Sequence, residues 1–520
     1  MLFGRPDEVV RSPTDSGASL STTWTSNSAA LSIAFVPVRG CVAILSAASS
    51  LVSYYDILVP QCTEVIASLS TVDASRATHD VVVVGGGLTG LTAAWTLRDR
   101  DVLLLEESER FGGRIRSERR GPLSLNLGAH VFGGKATATG RLLDALAIKA
   151  RDVPGALAAL SLDGRLVAGG PVQLLCRLPL SLRERATLAR SGLRLRLAVR
   201  RYAAVAQERP GESAAARQQR LLDFMDDRSF TSFIGPLPPT IDALYRCTLT
   251  RSSGEPEELA AGYGVGYFHL VWNREGGLGR NIPGGPATIT DALAAALGPR
   301  ARRGARVIRI AEQADGVAVT YVRAGERRTV QARAVVVATP ADVTRTVVQG
   351  LPNETDEALG AIRYGPYVVG AIRTNETEPS PWDGLYAVAT PKRSFSMAFN
   401  MANVLRGAGP RVPGSSFMVY AAAGLARQLD GLRDEEVAAR FVADLNGVFP
   451  GVGQHVVETQ VLRLDRGLPH PTVGRGRLQT ALTRDLGRIA LAGDYLGSWY
   501  TDTCVATAEA AAASARRFLD

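Results

Sequence analysis

The chain contains few of the residues that build metal centres or disulfide frameworks. Its five cysteines are scattered and odd in number, and no two have the C-x-x-C spacing of a zinc site. The five histidines show no metal-ligand spacing either, and the nucleophile elbow G-x-S-x-G is absent. We therefore expect no metal, and the cysteine usage fits a reducing cytoplasm.

Long apolar runs and lysines are also scarce. No stretch of about 18 uncharged apolar residues occurs, which argues against a membrane-spanning helix. Only three of the 59 basic residues are lysines, so the net charge of +9 reflects an arginine-rich composition. Without a nucleic-acid motif, this charge is weak evidence for binding nucleic acid. The 520 residues, 46% hydrophobic, predict a folded protein of two or three domains.

Residues 1–78 differ from the rest, being rich in Ser, Thr, Ala and Val. We predict an N-terminal extension with little ordered structure and a loop across Ser16–Ser32. Two apolar runs, Ala30–Val38 and Cys41–Val52, are each too short to span a bilayer, although they could anchor the chain at a membrane surface. We favour another interpretation, in which translation starts at Val72, as a bacterial GTG start codon would allow. A short polar segment then precedes the first strand of the folded protein.

A dinucleotide-binding fingerprint follows this lead. A continuous β-branched run is typical of a parallel strand buried on both faces. Glycines, a helical segment, a second apolar strand and an acidic residue follow in register. These features are Asp80–Val84, then Gly85, Gly87 and Gly90, then Leu91–Leu97, Asp101–Leu105 and Glu106.

Each residue of the fingerprint has a structural role in binding a dinucleotide. Gly85 permits the tight turn out of the strand, and Gly87 lets backbone N–H groups approach a pyrophosphate at the helix N-terminus. Gly90 lets the helix pack close to the strand. Glu106, 21 residues after Gly85, can accept hydrogen bonds from an adenosine ribose. We therefore predict a bound dinucleotide.

The next segment distinguishes FAD from NAD. Phe111-Gly-Gly-Arg114 begins five residues after Glu106, and Leu125–His130 follows. This combination resembles the flavin amine oxidase superfamily, which includes monoamine and polyamine oxidases, protoporphyrinogen oxidases and phytoene desaturases. The resemblance implies noncovalent FAD, with Arg114 near the pyrophosphate and Gly128–His130 along the ribityl chain and flavin. Asn126 stands where the family usually has Asp.

Later segments agree with this resemblance. Ile282–Gly285 and a predicted helix over 288–297 are similar to the start of the family's second nucleotide-domain section, and the Val307 backbone is implied to meet the adenine. A strand over 488–494 ends in Gly-Asp, and a long alanine helix follows from Asp502. Its N-terminus is implied to face the flavin, where its dipole would stabilise charge on the reduced cofactor.

Together these motifs give a predicted cofactor site, while no catalytic side chain is assigned. Leu88 and Thr89 stand between the second and third glycines of the fingerprint, and Cys504 and Val505 lie in the predicted last helix. The predicted cofactor-binding residues are Gly85, Gly87, Leu88, Thr89, Gly90, Glu106, Arg114, Gly128, Ala129, His130, Val307, Gly493, Asp494, Cys504 and Val505.

The resemblance also predicts the fold and the reaction. The fold class is α/β, a Rossmann-like FAD-binding domain with an inserted α+β substrate domain. The predicted FAD domain comprises 79–150, 282–350 and 485–520, and the substrate domain comprises 151–281 and 351–484. The predicted reaction is removal of a hydride from a C–H bond of a largely apolar small molecule. An NAD-dependent dehydrogenase and a catalytically silent flavin-binding protein stay open as alternatives.

Three features bear on the substrate side. The strand Tyr367–Ile372 lacks the lysine that monoamine and polyamine oxidases usually hold near the flavin, which favours a protoporphyrinogen oxidase or desaturase-like reaction. His130 and Trp499 are candidates beside the flavin, each equally well explained as a structural residue. The arginine-rich segment 181–220 is either a solvated helix face, which we favour, or a peripheral membrane contact.

Overall fold

The computed structural model describes two compact units, residues 1–75 and 76–520. In the first, the described residues form an antiparallel sheet of β1 (Val9–Ser12), β2 (Ser19–Ser26), β3 (Ala29–Val38) and β4 (Cys41–Ser46). In the second, residues 79–519 are described except 154–158, 170, 273–278, 407–409 and 499. The loop predicted across Ser16–Ser32 is wrong where β2 and β3 form, because threonine, tryptophan and apolar residues favour a strand there.

The second unit contains two large sheets and two short ribbons. Its strands are β5 (His79–Val84), β6 (Val102–Leu105), β7 (Ser117–Arg120), β8 (Leu123–Asn126), β9 (Arg151–Asp152), β10 (Ala159–Leu162), β11 (Arg165–Ala168), β12 (Arg280–Asn281), β13 (Ala301–Arg302), β14 (Ala305–Gln313), β15 (Gly316–Arg323), β16 (Glu326–Val337), β17 (Tyr364–Thr374), β18 (Ala387–Ala389), β19 (Met397–Asn400), β20 (Ser416–Ala422), β21 (Val456–Pro469) and β22 (Ile489–Leu491).

Helices surround both sheets. They are α1 (Leu88–Thr96), α2 (Ala138–Ala145), α3 (Pro171–Arg177), α4 (Leu182–Ala206), α5 (Ala214–Asp223), α6 (Phe230–Ile234), α7 (Pro239–Leu249), α8 (Ala261–Trp272), α9 (Ala287–Leu297), α10 (Ala341–Val347), α11 (Asn353–Gly360), α12 (Gly424–Arg427), α13 (Asp434–Val448), α14 (Gln479–Leu482) and α15 (Tyr500–Arg516).

The first large sheet, which we call the nucleotide sheet, has the order β13-β6-β5-β16-β15-β14, with β22 beside β16. β5 lies between β6 and β16 and is parallel to both. Val81 and Val83 pack with α1, α9 and α15 on one face, while Val82 and Val84 pack with β15 and β16 residues on the other. Because both faces are covered, this strand is apolar throughout rather than alternating.

The second large sheet, which we call the substrate sheet, has the order β11-β10-β18-β19-β20-β17-β21. Its inner strand β17 pairs antiparallel with β20 and β21. Side chains alternate along β17: Val368 and Ile372 join the core that includes Phe441 of α13, while Tyr367 and Val369 face a cavity. This alternation is what brings substrate-sheet side chains to the functional site.

Most elements around the fingerprint agree with the sequence prediction. β5, α1 and β6 occur in the predicted order, as does α9. The sequence also predicts a hairpin of Val317–Val322 with residues 329–331, and a separate strand over 335–340. The hairpin forms between β15 and β16, but residues 329–331 and 335–337 belong to one strand, β16, because its first half pairs with β15 and its second half with β5. The proposed division into FAD and substrate domains stays a prediction.

The arginine-rich segment forms α4 and α5. Leu195, Val199 and Tyr202 of α4 are buried, whereas Leu193 and Leu197 are 61% and 50% exposed. The helix therefore packs by one face on α8 and presents its arginines on the other. Among the described residues, no helix has the length and apolar character that crossing a membrane requires.

Candidate functional site

A cavity of about 470 Å³ lies between the two sheets. One part of its wall comes from the fingerprint turn, the Phe-Gly-Gly-Arg segment and the start of α15. The other comes from β17, β20 and β21 of the substrate sheet, with α8 and a short 3-10 turn, Thr250–Ser252. The cavity therefore joins the predicted cofactor residues to side chains of the substrate sheet.

The fingerprint glycines act at three different contacts. A Cβ on Gly90 would lie 1.8 Å from the Gly85 carbonyl oxygen, so α1 can approach the turn only with glycine there. Gly85 has a φ of +104°, which favours glycine. Gly87 precedes α1, no side chain caps the helix, and nothing lies within 4 Å of where its Cβ would be. Uncapped N–H groups beside open space leave room and donors for an anion.

Glu106 lies at the end of β6, where the cavity meets the sheet. The Gly86 N–H donates to its Oε2 at 2.5 Å, and Ser108 donates to Oε1 through its N–H and its hydroxyl at 2.9 and 2.6 Å. These bonds fix the carboxylate beside the fingerprint turn. Glu107, the next residue, lies at the edge of the cavity, and its side chain is 69% exposed.

Arg114 crosses the cavity wall to Asp494. Its Nη1 lies 2.7 Å from the Asp494 carboxylate and donates to the Gly467 carbonyl oxygen at 3.0 Å. Burial opposes the charged guanidinium, but the charge and hydrogen bond of Asp494 outweigh it and raise the pKa of Arg114 above its ordinary value. This ion pair ties the segment after the fingerprint to the Gly-Asp that follows β22.

His130 is neutral and partly unpaired. Burial lowers its pKa to about 3. Nδ1 lies 3.2 Å from the Gly128 carbonyl oxygen, which can only accept, so Nδ1 carries the proton. Nε2 has no partner among the described residues and can accept a hydrogen bond from a bound molecule. Asn126, where the family usually has Asp, is buried and donates to the Gly128 carbonyl oxygen at 3.3 Å.

The structure brings most of the predicted cofactor residues together around this cavity. Two do not line it: Gly90 packs against the fingerprint turn, and Val505 is fully buried in the core beneath the nucleotide sheet. Trp499 lies outside the described residues. Those that line the cavity are Gly85, Gly87, Leu88, Thr89, Glu106, Arg114, Gly128, Ala129, His130, Val307, Gly493, Asp494 and Cys504.

The sequence analysis missed a cluster that lines the same cavity, which we call the aromatic cluster. Its rings contact one another in pairs: Tyr267 and Tyr500 at 6.3 Å, and Tyr367 and Tyr420 at 5.3 Å between centroids. Six separate segments contribute to it, and only Tyr500 carried a signal in the sequence, through its place at the start of α15. The cluster comprises five residues that line the cavity, Arg251, Tyr267, Tyr367, Tyr420 and Tyr500, and also Phe399, which contacts Arg251 and Tyr420.

The aromatic cluster contains one positive charge among neutral phenols. Burial raises the pKa values of Tyr420 and Tyr500 well above the ordinary value, so both hydroxyls stay protonated. Burial opposes the charge of Arg251, but the pKa of a guanidinium lies far above neutral pH, so Arg251 stays protonated as well. No lysine is among the described residues that line the cavity.

Thiol and metal chemistry have little support at this site. Burial raises the pKa of the Cys504 thiol to about 12, so it is not a thiolate at neutral pH. Within the described part of the chain, no group of three or more His, Cys, Asp or Glu residues is placed to hold a metal ion.

A family model decides the assignment. The model of flavin-containing amine oxidoreductases matches residues 88–516. The chain belongs to this family. FAD is accordingly its cofactor, and the family assignment favours FAD over the NAD alternative.

Curated relatives of this flavin amine oxidoreductase match over short stretches. A probable flavin-containing monoamine oxidase A from Dictyostelium discoideum is 40% identical over 73 residues, 14% of this chain and 16% of the relative. A coproporphyrinogen III oxidase from Mycobacterium tuberculosis is 34% identical over 91 residues, 16% of this chain and 17% of the relative. The matched stretch thus spans about a sixth of each relative's length.

Solved structures match this flavin amine oxidoreductase over most of its length. Putrescine oxidase bound to putrescine has a TM-score of 0.66 at 18% identity, covering 84% of this chain and 98% of the other. Cyclohexylamine oxidase from Brevibacterium oxydans has a TM-score of 0.67 at 17% identity, covering 85% and 98%. These likenesses confirm the predicted fold class.

The residues of the cavity fit FAD. The uncapped start of α1 and the open space at Gly87 suit a pyrophosphate. The fixed carboxylate of Glu106 suits a ribose, and the free Nε2 of His130 offers an acceptor farther along the wall. Both residues of the Arg114–Asp494 ion pair also line this cavity.

Proposed function

We propose that this protein is an FAD-dependent oxidase or dehydrogenase that removes a hydride from a C–H bond of a small, largely apolar molecule. The observation that carries the proposal is that one cavity joins the fingerprint turn to the aromatic cluster. FAD, when bound, supplies the hydride acceptor. The chain's part is to bind the cofactor along the fingerprint and to hold the substrate carbon against it among tyrosine rings, away from water.

Two reaction types are compatible with this proposal. Dehydrogenation of a C–N bond is supported by the amine oxidases with the same fold. Dehydrogenation of a C–C bond is supported by the absence of lysine among the described residues that line the cavity, and by the coproporphyrinogen III oxidase relative. Reoxidation would use molecular oxygen or another acceptor.

The decisive experiment follows flavin absorbance under anaerobic conditions. The purified yellow protein is mixed with a panel of amines, porphyrinogens and polyenes, and bleaching identifies the substrate class. A catalytically silent flavin-binding protein would be reduced by dithionite but by no compound in the panel. Bleaching by an amine or by a porphyrinogen would decide between the two reaction types.

A further inference from the structure

Arg251 is unusually placed for an arginine. It lies in the 3-10 turn Thr250–Ser252 and lines the cavity within the aromatic cluster. Its guanidinium carbon lies 5.5 Å from the ring centroid of Tyr267 and 5.4 Å from that of Phe399. These rings attract a cation but accept none of the five guanidinium N–H groups in ordinary hydrogen bonds.

The other arginines that line the cavity each have a carboxylate partner, and Arg251 has none among the described residues. A buried or half-buried charge is normally paired, so an unpaired guanidinium facing a cavity indicates a partner that arrives with a ligand. The paired arginines are Arg114 with Asp494 at 2.7 Å, Arg306 with Glu107 at 3.9 Å and Arg466 with Asp342 at 2.6 Å.

Arg246, on the preceding helix α7, shows that carboxylates near this region can form ion pairs with an arginine. Its guanidinium contacts three carboxylates, those of Asp242, Glu255 and Glu257, at 3.0, 2.5 and 2.7 Å. None of these three residues lines the cavity in which Arg251 lies. The difference between the two arginines therefore lies in their surroundings, which give Arg251 phenols in place of carboxylates.

We propose, resting on the oxidation proposed above, that Arg251 binds a carboxylate of the substrate. A guanidinium matches a carboxylate with two parallel hydrogen bonds, and the neutral phenols around it compete weakly for that charge. A protonated amine in the same place would meet a like charge. The carboxylates lining the cavity, Glu106, Glu107 and Asp494, belong to the fingerprint region and its ion pairs, so the aromatic cluster offers an ammonium no anion.

The proposed carboxylate site adjoins the predicted flavin wall. Phe399 contacts both Arg251 and the ring of His130, the latter at 4.5 Å between ring centroids. A substrate held at Arg251 by its carboxylate would thus extend toward Gly128–His130. The substrate class is an organic acid with an apolar body, and a simple cationic amine fits less well.

The test measures ligand binding to the FAD-loaded protein by calorimetry. Three probes of similar shape are used: benzoate, neutral benzamide and cationic benzylamine. We expect benzoate to bind most tightly, and Arg251→Gln to weaken benzoate binding roughly ten- to a hundredfold while leaving benzamide almost unchanged. Arg251→Lys should retain part of the preference, since it keeps the charge but not the fork.

The matched control is Arg440→Gln on the exposed face of α13, which should leave all three affinities as in the wild type. The wild-type ranking decides the question even if Arg251→Gln does not fold. The proposal is wrong if benzamide or benzylamine binds as tightly as benzoate. It is also wrong if Arg251→Gln changes FAD affinity or the flavin spectrum but leaves benzoate binding intact, which would place Arg251 against the flavin.

A separate measurement distinguishes this proposal from the proposed oxidation. Phenylalanine and phenethylamine share a C–H bond beside nitrogen but differ in the carboxylate. Faster anaerobic flavin reduction by phenylalanine, lost in Arg251→Gln, would support both proposals. If no compound of any panel reduces the flavin, the oxidation is rejected, while the benzoate titration still decides whether Arg251 binds a carboxylate.

Discussion

At the scale of single residues, Glu106 gives the most direct test of the cofactor site. Glu106→Ala should weaken FAD binding by about 1.5–3 kcal/mol, roughly ten- to a hundredfold, because a charged acceptor is lost. Fluorescence titration of the FAD-free protein with FAD measures this. Glu107→Ala is the matched control and should have a small effect, since its side chain is largely exposed. Equal losses at both positions would mean that the fingerprint register is wrong.

His130 should make the folded protein sensitive to mild acid. Its pKa is about 3 in the folded protein and near 6.5 when unfolded, so below pH 6.5 only the unfolded chain takes up the proton. The contribution to stability is thus complete above pH 6.5 and falls as the pH decreases toward 3, by about 1.4 kcal/mol per pH unit. Between pH 6.5 and pH 5 the wild type should lose about 2 kcal/mol more than His130→Gln.

Urea unfolding of both proteins at the two pH values measures this difference. The subtraction removes the titration of groups that the wild type and the variant share. Equal pH dependence of the two would show that His130 titrates normally in the folded protein, and hence that it is accessible to water.

At the scale of elements, two glycines of the fingerprint turn have different predicted roles, Gly90 in packing and Gly87 in cofactor binding. Gly90→Ala would push a Cβ to 1.8 Å from the Gly85 carbonyl oxygen and should cost about 1–3 kcal/mol of unfolding free energy. Gly87→Ala meets nothing within 4 Å and has an ordinary φ of −74°, so the FAD-free protein should keep its stability within about 0.5 kcal/mol. Its methyl group would stand in the open space that we assign to the pyrophosphate.

The measurements are thermal unfolding of the FAD-free protein and FAD titration. Gly87→Ala should fold normally and bind FAD weakly, whereas Gly90→Ala should unfold at a lower temperature. Normal FAD affinity in Gly87→Ala would show that the pyrophosphate does not lie at the start of α1.

The same turn shows why part of the site could be predicted from the sequence. β5, α1, β6 and Glu106 are specified by neighbouring residues within one βαβ unit, where periodicity and glycine positions carry the information. The aromatic cluster is different. Tyr367 and Tyr420 meet only because β17 pairs with β20, and Arg251 reaches them from a 3-10 turn more than a hundred residues earlier. Pairings over such separations leave no local pattern.

β16 illustrates the same limit within the nucleotide sheet. Its two halves read as separate strands because Arg327, Arg328 and Arg333 are charged where Val335–Val337 are apolar. The first half forms the hairpin with β15, with an exposed start, and the second is buried between β5 and β22. The change from charged to apolar residues reflects the change from exposed to buried surroundings along one strand. From the sequence alone, such a change cannot be distinguished from a turn between two strands.

At the scale of the whole molecule, the cavity is built by one of the two compact units. All of its described lining residues lie between Val84 and Cys504, within the unit 76–520. The nucleotide and substrate sheets both belong to this unit. The cofactor fingerprint, the Arg114–Asp494 pair and the aromatic cluster are therefore all encoded after the N-terminal sheet.

From this we predict that residues 1–71 are dispensable for FAD binding. A protein beginning at Val72, with Met in its place, should be soluble, yellow and as active as the full chain, because the first fingerprint strand, β5, begins only at His79. Flavin content per protein and the thermal midpoint, compared with the full chain, measure this. Insoluble or colourless truncated protein beside a soluble yellow full chain would show that the strands β1 to β4 cover apolar surface that the fold needs.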